Sequence, residues 1–114
     1  MDYPPDATFY VRLSLVTAKP GHEERVSEIM DGLLEFMATQ PGYVRGYKLI
    51  RKYPDPRTGR ITVWKSEEDA DRAAQTQHIL SVRSELLQLV EEHFHIERSY
   101  TAYDPQLAKT LASS

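Results

Sequence analysis

Four histidines, one tryptophan and no cysteine bound the chemistry open to this chain. The missing thiol removes cysteine nucleophiles, thiolate metal sites and disulfides. His78 is the candidate general base, histidine being the residue type best suited to that role at neutral pH. It follows Thr76-Gln77 at a break between two helical runs, where an N-cap or loop role would also explain it. Arg12 and Tyr47 are suited to orienting a polar aromatic ligand, and equally to pairing across strands in a subunit interface. Trp64, at the end of a strand-like run, offers a wall for stacking or fills core. His93 and His95 have the H-x-H spacing of a metal pair if both share a strand face. Only Glu91, Glu92 and Glu97 stand near as a third ligand, and a helix C-terminus already accounts for His93, so no metal site is expected. The sequence holds no glycine-rich phosphate loop and no G-x-S-x-G, which leaves nucleotide and flavin binding without support.

The elements that must position these residues are marked by periodicity. Phe9, Val11, Leu13 and Leu15 alternate with Tyr10, Arg12 and Ser14, which predicts a strand from Phe9 to Thr17, ended by Pro20-Gly21. Val26, Ile29, Met30, Leu33 and Met37 form one helical stripe from about Glu23 to Thr39, with Pro41-Gly42 as its stop. A second strand, about Tyr43 to Tyr53, places Tyr43, Arg45, Tyr47, Leu49, Arg51 and Tyr53 on one face, and Gly46 marks a bulge or a close backbone approach. The loop from Pro54 to Gly59 joins it to a third strand, Arg60 to Lys65. Ser66 caps a short helix reaching about Gln75, with Asp69 as the capping-box acid. A further helix, Ile79 to about His93, and a last strand, Phe94 to Tyr103, complete the pattern. On that strand Phe94, Ile96, Arg98 and Tyr100 share a face. Residues 1–7 read as a lead-in and 104–114 as a tail.

A length of 114 residues allows one domain. The formal charge of −3 argues against nucleic acid as a partner, because neutralising phosphates needs a basic patch. Arg45, Lys48, Arg51, Lys52, Arg57 and Arg60 lie among apolar and tyrosine residues and read as a solvated hairpin edge. The first six residues lack the features of a signal peptide, and no apolar run is long enough to span a membrane; a reducing cytoplasm is the expected setting.

The β-α-β-β-α-β order predicts an α+β domain over residues 8–103. The expected fold is a ferredoxin-like split β-α-β with a four-stranded antiparallel sheet and its helices on one face. The other face, expected to carry Tyr10 and Ser14 beside tyrosine and aliphatic residues, is too wide to leave in water. A symmetric homodimer packed sheet to sheet is the expected remedy.

Three stretches occur in an order and spacing that resemble the antibiotic biosynthesis monooxygenase (ABM) domain family over about residues 8 to 103. They are Ala18-Lys19-Pro20-Gly21-His22-Glu23-Glu24, Gln40-Pro41-Gly42-Tyr43 and Val63-Trp64-Lys65-Ser66-Glu67-Glu68-Asp69-Ala70. The resemblance implies a dimeric α+β barrel with a pocket between sheet and helices in each subunit. It implies a cofactor-independent monooxygenase acting on a small hydrophobic aromatic or quinol-type substrate. A non-catalytic small-ligand-binding protein and a proton-shuffling isomerase on the same fold are the alternatives. Such an oxygenase needs a base that forms the substrate anion, donors for the oxyanion and a dry pocket. His78 falls where these domains often have a histidine after the tryptophan-led helix and is the implied base, with Trp64, Tyr47 and Arg12 binding substrate. Two positions depart from the family pattern: Ala73 stands where many members have an earlier histidine, and Thr62 where a glutamate is common. Haem degradation is not expected, since Leu13-Ser14 and Ala73 replace the asparagine and second tryptophan of haem-degrading relatives. The expected partners are a second copy of the chain and a small aromatic molecule, with no cofactor.

Overall fold

Alternating β-formers make Thr8–Val16 an inner strand, β1, of the computed structural model, which describes residues 3–53, 55–92 and 95–113. Helix α1 (Glu23–Met37) opens with Glu23 and Glu24, where the helix dipole favours negative charge. The chain then turns through Gly42 (φ +84°), where an added Cβ would meet the Asp69 side chain, into β2 (Tyr43–Arg51). β3 (Arg57–Trp64), α2 (Glu67–Ala74), α3 (Gln77–Leu89), β4 (Ile96–Tyr103) and α4 (Pro105–Ala112) follow. Every strand pairing is antiparallel, in the order β2-β3-β1-β4, as expected of the split β-α-β.

The core lies between one sheet face and the helices. Val26, Ile29, Met30, Leu33 and Met37 of α1 pack with Val16, Trp64, Ile79 and Leu86. Each such side chain contributes about 1.5–3 kcal/mol by leaving water.

Register corrects the expected assignment of faces. Tyr10 lies opposite Trp64, Arg12 opposite Thr62, and Ser14 opposite Arg60. Directly opposed residues share a face, and Trp64 is core, so Tyr10 and Ser14 face the helices. Phe9, Val11, Leu13 and Leu15 form the outward face. A register shift between Tyr43 and Arg45 also moves Tyr43 to the helix side, away from Arg45 and Tyr47. Gly46 sits just beyond that bulge, with the Tyr43 hydroxyl and Leu34 where its Cβ would be. Gly59 is a strand residue rather than part of the hairpin loop: a Cβ there would fall on the Ser14 carbonyl.

Two helical boundaries also differ. Thr76 caps α3, its Oγ1 accepting from the Ile79 N–H at 3.3 Å, so His78 lies inside the helix. The expected tail forms α4, capped by Asp104 (which accepts from Gln106 and Leu107 N–H) with Pro105 in the first turn. Leu107 of α4, Tyr3, Phe9, Val63 and Ala102 border a depression on the outward side. His93, Phe94 and Pro54, each part of an expected element, lie outside the described residues.

Candidate functional site

Side chains of period two on three neighbouring strands build the floor of a cavity. β3 contributes Arg60, Thr62 and Trp64, β1 contributes Arg12 and Ser14, and β4 contributes Glu97 and Ser99, with His95 just before it. Apolar side chains from the helices, among them Leu33, Met37, Ile79 and Leu86, form the opposite wall. The cavity opens to solvent on one side and has a volume of about 500 Å³, within the range of small-molecule sites.

The cavity has two ends of different chemistry. At the apolar end the buried Trp64 indole N–H donates to Thr62 Oγ1 at 2.9 Å, and Tyr43 meets the ring edge-on at 5.5 Å. Thr62 thus satisfies the indole from the position where a glutamate was the family expectation. Ala73, at the position where a histidine was expected, is buried in the core cluster. At the polar end Glu97 lies between two bases: Oε1 is 3.2 Å from His95 Nε2 and 3.5 Å from Arg83. The His95 contact is at ion-pair distance without being a hydrogen bond, and Nε2 is buried without another partner. Arg12 pairs with Asp71 of α2, and its Nε donates to the Tyr10 hydroxyl at 3.1 Å. That hydroxyl donates to Ser99 Oγ at 3.0 Å. Burial works against the charge on Arg12, but the bonds to Tyr10 and Asp71 outweigh it and raise its pKa.

The sequence-derived site residues separate in space. Arg12 and Trp64 line the cavity. Tyr47 does not: it lies opposite Ile61 on the outward face and is 54% exposed. His78 is exposed in the first turn of α3 and stacks on Phe36 of α1 at 4.2 Å, outside the cavity lining. Among the described histidines, the one that lines the cavity is His95, for which the H-x-H spacing suggests only a metal pair that its neighbours do not complete. A usable signal was present. His95, Glu97 and Ser99 form a polar row of period two, opposite the apolar row of β4. Among the described residues no group of three or more His, Cys, Asp or Glu is placed to hold a metal ion.

A family model for antibiotic biosynthesis monooxygenases matches residues 9–94. Comparison with curated proteins returns no significant match. Among solved structures the chain is similar to a mutant form of SnoaB, a cofactor-independent oxygenase from Streptomyces nogalater. The identity is 21% and the TM-score 0.72, covering 84% of this chain and 94% of that one. A candidate antibiotic biosynthesis monooxygenase from Nitrosomonas europaea aligns at 18% identity and TM-score 0.72, over 92% and 96% of the two chains. A Shewanella oneidensis protein aligns at 16% identity and TM-score 0.75, over 89% and 97%. At these identities the likeness shows the fold. No helix among the described residues is long and apolar enough to cross a membrane.

Proposed function

The chain belongs to the antibiotic biosynthesis monooxygenase family, and from that premise we propose that it oxidises a small aromatic or quinol-type substrate with molecular oxygen in the cavity between sheet and helices. The observation that carries this reading is the cavity itself, with an apolar wall around Trp64 and a histidine, His95, in its lining. His95 removes the proton from an acidic phenol or enol, and the resulting anion is electron-rich enough to reduce oxygen without an external donor. One oxygen atom becomes a new carbonyl on the substrate carbon. The other leaves as water with the two hydrogens lost from that carbon, so the substrate supplies all the electrons. The ring packs against the apolar wall that the buried Trp64 backs, and Arg12 orients its oxygen.

Oxygen uptake by the purified protein with anthrones and reduced naphthoquinols tests this. One oxygen consumed per substrate oxidised, with no hydrogen peroxide released, supports the reading. Turnover that persists without oxygen would replace it with isomerisation by the same base. Binding without any turnover would leave a ligand-binding role, which the alanine at position 73 favours.

We further propose a homodimer through the outward sheet face. What supports it is the part-buried Leu13 and Leu15 on that face, with the half-exposed Tyr47 and Tyr100 beside them; Phe9 and Val11 of the same row are already buried within the chain. Light scattering should give twice the 13.1 kDa chain mass; a monomer would contradict it.

A further inference from the structure

Arg60 departs from the solvated hairpin edge to which its sequence neighbours assigned it. Other cations of that run find partners at the surface. Lys48 bonds Asp31 at 3.0 Å and Ser27 at 2.6 Å, and both Arg51 and Arg57 bond Asp55. Arg60 lies opposite Ser14 and Lys48, a register that turns it onto the helix face and into the cavity lining. Among the described residues its guanidinium makes no hydrogen bond or close ion pair. Glu97 acts on it favourably, but that carboxylate is shared with Arg83 and His95. Arg12 is engaged by Asp71.

The polar end therefore holds three guanidiniums, Arg12, Arg60 and Arg83, against two carboxylates, Asp71 and Glu97, in a chain whose formal charge is −3. (Arg98 also borders the cavity, but its pairing with Leu13 turns it outward.) Burial pulls the Arg60 pKa down to about 10; Glu97 opposes the fall, and Arg83 and Arg12 add to it. The group stays charged at neutral pH, under-compensated and partly withdrawn from water, which costs free energy unless a counter-charge arrives.

We propose that the ligand of this cavity is an aromatic carboxylic acid, and that Arg60 receives its carboxylate. The flat, two-oxygen anion matches the guanidinium fork. Trp64 stands four residues further along the same face of β3, roughly 13 Å away by strand rise. That is the span of a two- or three-ring aromatic with an acid at one end. The inference rests on the aromatic-substrate reading above and adds the charge that the substrate carries.

Calorimetric titration with 2-naphthoate and its neutral isostere 2-naphthamide tests it. The wild-type protein should bind the acid about tenfold or more tightly than the amide. Arg60→Met should erase that preference while still binding the amide, and its thermal melt reports whether it is folded. Arg60→Lys, which keeps the charge and loses the fork, should retain only part of the preference. Equal affinity for acid and amide in the wild-type protein would overturn the role of Arg60 and leave the aromatic cavity standing. So would an undiminished preference in folded Arg60→Met, or in Arg60→Lys should the methionine variant fail to fold. Binding of neither probe would overturn both.

Discussion

His78 and His95 stand at two junctions that look alike in sequence and differ in surroundings. His78 follows the α2–α3 break, on the outer seam where α3 meets α1, and spends its ring on Phe36. His95 precedes β4, lines the cavity, and lies 3.2 Å from Glu97 with its side chain 19% exposed. The first has a neighbour that explains it structurally. The second has an acid beside its buried Nε2, and its ring lines the cavity. A histidine is suited to proton transfer by what it faces, and a family position alone does not supply that.

The largest effect expected from this contrast is catalytic. His95→Ala should lower the rate of oxygen uptake by about 100-fold or more, whereas His78→Ala should stay within about twofold and lose only its ring contact with Phe36, on the order of 0.5 kcal/mol. The reverse ranking would return the base to the α2–α3 junction. Next in size is a pure stability effect at that junction. Thr76→Ala removes the hydroxyl that caps α3 and should cost about 1 kcal/mol, seen as a melting point lowered by about 5 °C, with kcat unchanged.

The smallest effect concerns the same seam in acid. Arg25 grips Glu85 through two hydrogen bonds of 2.8 Å, joining α1 to α3. Chiefly through those bonds it holds the Glu85 carboxyl below its ordinary value of 4.5. A carboxyl depressed in the folded state adds stability that is complete above its unfolded pKa and disappears as pH falls through the folded one. Melting curves of the wild-type protein and Glu85→Gln should therefore differ slightly above pH 4.5 and converge in stronger acid.

Much of the scaffold could be read from residue spacing because each element satisfies a local rule. The α1 stripe from Val26 to Met37 is buried as spaced, and the Ser66 hydroxyl accepts from Asp69 N–H at 3.2 Å as the capping pattern predicts. Period two in β1 defined two rows of side chains but carried no information on which row meets the helices; only pairing with Trp64 decides that. The bulge that turns Tyr43 inward and Tyr47 outward is a property of two strands together. Asp104-Pro105 is a readable helix start, but residues 104–114 offer so few apolar positions that they read as a tail. Arg60 looked like one surface cation among several, and its placement follows from long-range pairing with Ser14.

Titrating the protein with 1-naphthol while following its histidine ring resonances by NMR, assigned through His78→Ala and His95→Ala, tests most directly where ligand and base meet. Occupancy of the cavity between sheet and helices should shift the His95 ring signals and leave those of His78 in place. Movement of the His78 resonances over a stationary His95 would contradict it.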